Sequence, residues 1–120
     1  MATFHIKRIY ETPEPQDGKR ILVDRLWPRG MKKERAKLDA WEKELAPSSD
    51  LRKSWGHDSS RFKDFACAYR AELDSRPEVE TFLSSLHPDD TITLLYAAKD
   101  PQVNHAVVLR DYLALRQEGL

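Results

Sequence analysis

The sequence predicts an α/β domain, a small three-layer sandwich around a mostly parallel sheet of about four strands. Three observations carry this. Two stretches near the amino end, TFHIKRIY and RILVDRLW, have the alternation or continuous apolar run of strands. A third, TITLLYAA, is β-branched at its start and apolar throughout, as a central strand must be. Segments of helical spacing lie between and after them, and a strand feeding a helix across a short loop is the unit of a parallel sheet.

In TFHIKRIY, Phe4, Ile6 and Arg8 fall on one side, and His5, Lys7 and Ile9 on the other. ETPEPQDGK is a loop, punctuated by Pro13, Pro15 and Gly18. RILVDRLW follows as a strand, apolar enough at Ile21 to Val23 for burial on both faces. These two strands form either a wide hairpin or parallel neighbours, and the sequence leaves both open. Residues 31–46 also carry two readings. Leu38, Trp41 and Leu45 are spaced for one helical face; a short helix and then a strand near Leu38 to Lys43 is the alternative.

APSSDLRKSWG restarts a helix, capped by Ser48 or Ser49, with Leu51 and Trp55 on one face and Gly56 as its stop. The next helix places Phe62, Phe65, Ala66, Tyr69 and Leu73 at helical spacing. In SRPEVETFLSSL, Ser75 and Glu78 have the spacing of a capping box, Pro77 lies in the first turn, and Val79, Phe82, Leu83 and Leu86 form the stripe. HPDD is a turn before the central strand. KDPQVN is the loop after it, and HAVVLRDYLALRQ closes the chain with Val108, Leu109, Tyr112 and Leu113 facing inward.

With 120 residues, 40% hydrophobic and 33% charged, the chain is expected to form one domain over residues 1–120 and to bury its own core. One cysteine, Cys67, excludes an internal disulfide, and mid-helix between alanines it reads as an inert small hydrophobe. MATFHIKRIY has no signal-like apolar run, and no stretch approaches the roughly 20 apolar residues of a membrane span. A cytosolic protein without membrane partners is expected. The four histidines show no paired spacing, so neither a metal nor a cofactor is implied. Net charge is zero but uneven. Gly18 to Lys37 hold eight basic residues against two acidic ones, whereas residues 61–120 hold seven against ten.

In open α/β sheets, ligands bind beyond the carboxyl ends of the strands. The loops after Val23 and after Tyr96 qualify. If their strands are parallel neighbours, Asp24, Arg25, Arg29, Tyr96, Lys99, Asn104 and His105 meet on one rim. Arginine forks and a lysine suit phosphate or carboxylate, and Asp100 or Asn104 could cap the last helix. An unpartnered carboxylate after a buried aliphatic run costs several kcal/mol, so Asp24 needs a partner; it orients an arginine or acts as acid/base. His105, in the first turn of the closing helix, is the natural proton carrier. Tyr96 reads as core with a hydroxyl seeking one partner. In WPRG, proline at the second and glycine at the fourth position of a type I turn make a stiff corner under Trp27. His57-Asp58 reads as a loop and helix cap.

The motifs VDRLWPRG, LAPSSDLRKSW, FACAYRAEL and TLLYAAKDPQVNHAVVL together resemble the YeaO-like family, a bacterial domain of unknown function, from about Ile6 to Leu113. The resemblance implies a short single-domain protein with no settled reaction, and it favours the strand near Leu38 to Lys43. More distant relatives carry a cysteine and an arginine where this chain has Tyr96 and Ala106, which removes a thiol-based mechanism from this loop. The leading expectation is a small anionic or phosphate-bearing ligand at the rim, held by Arg25, Trp27, Arg29, Tyr96, Lys99 and Asn104, with Asp24 and His105 as the acid/base pair. Whether turnover accompanies binding stays open. A nucleic-acid module using residues 19–37 with Trp27 as a stacking surface, and an interaction domain without chemistry, are the alternatives.

Overall fold

The computed structural model describes residues 1–118; the last two positions of the expected domain lie outside them. Its elements are β1 (Thr3–Arg8), β2 (Lys19–Leu22), α1 (Lys33–Ala36), β3 (Ala40–Trp41), α2 (Ser49–Trp55), α3 (Phe62–Asp74), α4 (Pro77–Ser84), β4 (Thr91–Tyr96) and α5 (His105–Glu118). The four strands lie in the order β1-β4-β2-β3, and every pair is parallel. The open choice between hairpin and parallel strands is thereby settled: β1 and β2 do not touch, because β4 lies between them. Opposite residues include Ile6 and Leu94 on one side of β4, and Ile21 and Leu94 on the other.

Alternation along each strand divides the core in two. Phe4, Ile21, Val23, Ile92, Leu94 and Tyr96 face helices α2 to α5 and join the larger apolar cluster. Leu22 and Leu95 face the other way, under Ile9, Met31 and Ala36. The third layer is therefore thin, made of α1 and the loops beside it. The expected stripes of α3, α4 and α5 are buried except at Phe62 and Leu86, which are half-buried, Leu86 lying beyond the end of α4.

The structure corrects the helical reading of residues 31–46. Lys37 adopts a left-handed φ of 48° and ends α1 after one turn, and the chain then pairs as β3. Leu38 and Trp41 pack with the smaller cluster and Leu45 with the larger, so the three residues lie on opposite sides of the sheet. The capping box is also displaced. Ser75 ends α3, its Oγ donating to Glu72 O at 2.8 Å, and Arg76 precedes α4 with no side-chain cap. The corner in WPRG lies one residue later than expected. Met31 N–H donates to Pro28 O, which puts Gly30 at the third position with φ 75°, the place where a type II turn needs positive φ. Cys67 is exposed on α3 rather than packed.

The thin side is fastened by ions rather than by hydrocarbon. Arg20 and Asp17 are almost fully buried and pair at 2.6 Å, with Lys7 Nζ 3.1 Å from the other carboxylate oxygen. Arg20 also donates from Nε and Nη2 to Ala36 O, at 3.1 and 2.9 Å, and so ties α1 to the sheet. Gly18 follows Asp17 at φ 64°, and a Cβ there would lie 2.2 Å from Thr91 O.

Two predictions follow from this side of the molecule. Asp17→Asn strands a buried guanidinium, and urea unfolding should show a loss of about 3–5 kcal/mol. Burial pushes the Asp17 carboxyl up, but hydrogen bonds from the Glu14 amide, Lys7 and Arg20 outweigh it and hold the group below the usual carboxylate range. Its contribution is complete above the ordinary unfolded value near ~3.9 and is lost as pH falls through the lower folded value. The acid limb of the stability profile should flatten in the variant; parallel limbs would locate the effect elsewhere. For Gly18→Ala, backbone must move as well as φ, so its loss should exceed the ~1 kcal/mol expected for Gly30→Ala, which has nothing within 4 Å. Equal losses would show that the approach to Thr91 is not limiting.

Candidate functional site

β2 and β4 are neighbours whose chains leave toward opposite faces. After β2 the chain passes to α1 on the thin side, and after β4 it enters α5 on the thick side. Such a divergence opens a crevice at the carboxyl ends of the two strands. A pocket of about 260 Å³ lies there. Asp24 and Arg25 line it from the end of β2, Ala97, Ala98 and Lys99 from the end of β4, and His105 from the start of α5.

Asp24 fixes the floor. Its Oδ2 accepts the Ala97 N–H at 3.0 Å, two residues beyond the last paired residues, Leu22 and Leu95. Its carbonyl accepts the Trp41 Nε1–H at 2.7 Å, which brings in the end of β3. The His105 Nε2 lies 2.9 Å from Val23 O and 3.0 Å from Asp24 Oδ1. Both facing atoms are acceptors, so Nε2 carries a proton. That proton points at the carbonyl, and Asp24 Oδ1, buried and close to the same nitrogen, has no aligned donor. The contact with the carboxylate is therefore electrostatic more than a formed hydrogen bond.

Arg25 lies in a bend just after Asp24 and reaches the segment before α2. Its Nε and Nη2 donate to Pro47 O and Ala46 O at 3.2 and 3.3 Å. Carbonyls orient a guanidinium without neutralising it, and the nearest carboxylate, on Glu44, is 4.0 Å away and half exposed. The sequence reading missed the opposite wall, formed by Arg52, Trp55 and His57 with Ala46 and Pro47. Its one signal is spacing: Arg52 and Trp55 are three apart and share a side of α2. The Trp55 ring stacks on Phe65 at 4.0 Å and donates its Nε1–H to Asp58 O at 2.8 Å. His57, at φ 59°, lies against it with ring centres 4.8 Å apart. Asp58 accepts the Ser60 N–H and caps the following turn, as expected.

The remaining expected residues lie elsewhere. Asn104 is fully buried and caps α5: its Oδ1 accepts the Val107 N–H and its Nδ2 donates to Asp100 O. Asp100 organises the loop by accepting the Gln102 and Val103 amides. Tyr96 is core, and burial pushes its hydroxyl up from the usual range. Trp27 lies edge-on to Trp41, with ring centres 5.3 Å apart, over a separate groove lined by Lys33 and Lys37. Arg29 is exposed outside the pocket, and its carbonyl accepts the Tyr10 hydroxyl. Trp27, just before the Pro28–Met31 turn, and Arg29, within it, both lie toward the thin face. The basic segment 19–37 is likewise divided. Lys19 pairs with Asp90, Arg20 is buried with Asp17, and Arg25 faces the pocket.

No group of three or more histidine, cysteine or acidic residues able to hold a metal occurs among the described residues. Nor, among them, is any helix long and apolar enough to cross a membrane.

Comparison with known proteins agrees with this architecture in extent. The chain is 45% identical over 107 residues to the uncharacterized protein YeaO of Escherichia coli, covering 89% of this chain and 93% of that protein. It is 38% identical over 109 residues to the uncharacterized proteins Rv3073c of Mycobacterium tuberculosis and Mb3100c of Mycobacterium bovis, covering 90% of this chain and 91% of each. No solved structure matches it. A family model described as the inactive DUF488-N3 subclade matches residues 3–119, and with nearly the whole length accounted for, the chain belongs to that family.

Proposed function

We propose that this protein binds a small anionic ligand in the pocket at the carboxyl ends of β2 and β4, without turning it over. One observation carries the reading: Arg25, Arg52 and Lys99 arrive from three separate segments to line one pocket. Among the described residues, the ion pairs of the pocket's residues are confined to Arg25 with Glu44, 4.0 Å away, and His105 with Asp24. Unneutralised cations around a concave, partly dry site raise the local concentration of anions and form strong charge-assisted hydrogen bonds with them.

Binding without chemistry fits the pocket's other groups. No hydroxyl or thiol side chain lines it, so a seryl, threonyl or cysteinyl nucleophile is missing from the lining. Asp24 and His105 are engaged with Ala97, Val23 and each other, and in this reading they position the rim rather than carry protons. The family's description as inactive agrees with that.

Inorganic phosphate titrated into the full chain should raise the melting temperature. Arg25→Ala and Arg52→Ala should each weaken its binding by about 10- to 100-fold, the ~1.5–3 kcal/mol of a hydrogen bond to a charged group, while far-ultraviolet dichroism stays unchanged. Undiminished binding in both folded variants would sink the proposal. His105→Ala separates positioning from binding. It should cost ~1–3 kcal/mol of stability, because buried Asp24 Oδ1 loses the imidazole beside it, yet leave phosphate affinity within about threefold. A loss as large as that of Arg25→Ala would instead put His105 in contact with the ligand.

A further inference from the structure

The pocket combines two chemistries, and together they define the ligand more narrowly. We infer that it takes the dianion of a phosphate monoester carried on a flat apolar body, an inference that rests on the anion-binding reading above.

Charge decides between phosphate and carboxylate. Arg25, Arg52 and Lys99 with the single carboxylate of Asp24 give the lining a formal charge of +2 with neutral histidines. A phosphate monoester carries about −1.5 to −2 near neutral pH, and a carboxylate only −1, so the ester balances the site and the acid does not. Arg25 is held for this task, since Pro47 O and Ala46 O engage Nε and Nη2 and leave its Nη1 edge with only Glu44, 4.0 Å away.

Apart from the imidazoles of His57 and His105, the rest of the wall offers mostly carbon. Trp55 has its only N–H on Asp58 O, so the indole presents no donor to the pocket. Its ring is immobilised by Phe65, stacked at an interplanar angle of 18°. The carbonyls of Ala46 and Pro47 face Arg25, and these residues, with Ala97 and Ala98, otherwise add only methyl and methylene groups. Trp55 is 3% exposed, with Phe65 stacked on it and His57 against it, so what it offers the pocket is a fixed apolar edge, which favours a flat partner by edge contact. Size agrees: a 260 Å³ pocket holds about nine water-sized units at ~30 Å³ each, more than five-atom inorganic phosphate fills.

Calorimetric titration of the full chain with phenyl phosphate, inorganic phosphate and benzoate tests this. Phenyl phosphate should bind at least about tenfold more tightly than either of the others, as partial burial of one ring and loss of one charge each imply. Arg52→Ala should bring phenyl phosphate and benzoate within about threefold of each other, because the lining then balances a single charge. If inorganic phosphate matches phenyl phosphate, the apolar wall contributes nothing and the inference is overturned, though anion binding stands. If benzoate matches phenyl phosphate, the dianion argument is overturned, again with anion binding intact. If none of the three binds, or if all bind undiminished to folded Arg25→Ala and Arg52→Ala proteins, the anion-binding reading falls and takes this inference with it.

Discussion

Asp24 is the residue on which the rim depends. One carboxylate oxygen takes the Ala97 amide, its carbonyl takes the Trp41 indole, and its second oxygen lies beside His105. The ends of β2, β3 and β4 and the start of α5 are thus held by one residue. A carboxylate partly removed from water is costly unless its lone pairs are met, and here the Ala97 amide meets one oxygen while Oδ1 relies on the nearby imidazole. Arg25, the next residue, bonds the carbonyls of Pro47 and Ala46 instead, and the two neighbours divide the work. Asp24 closes the rim from within, and Arg25 charges the cavity the rim surrounds.

The two faces of the sheet are held by different physics. The thick face is a continuous apolar cluster under α2 to α5, where burial is non-directional and tolerant of small shifts. The thin face has too little hydrocarbon for that, and Lys7, Asp17 and Arg20 supply directional contacts in its place. Ionic contacts of this kind add little net stability, but they fix which backbone groups meet. Here they hold α1 and the loop before β2 in one register with the sheet. The loop after β2 departs over this thin face, and the crevice of the candidate site exists because it does.

Long periodic elements were legible in the sequence, and short or positional ones were not. Strands β1, β2 and β4 and helices α3 and α5 each run through enough residues for a period to appear. A one-turn α1 and a two-residue β3 contain no period at all. Leu38, Trp41 and Leu45 consequently matched a helix that does not exist, and only the family resemblance pointed to a strand there. Half of the site was readable, because Asp24, Arg25, Lys99 and His105 follow strands whose carboxyl ends share a rim. Arg52, Trp55 and His57 belong to the connection between β3 and β4, and their return to the rim follows from a strand order that composition does not encode. Trp27 and Arg29 illustrate the converse. They follow the site residues closely in sequence, yet lie over the other face.

The central place of β4 also has a consequence for how the molecule comes into being. β1 and β2 never pair with each other, and β3 offers β2 only two residues. A chain emerging from the ribosome therefore has no sheet to complete until residues 91–96 appear. β1 and β2 stay open-edged until that later strand slides between them. Truncation anywhere before β4 removes the keystone rather than a brick, and the nascent segments most exposed to chaperones are the earliest made.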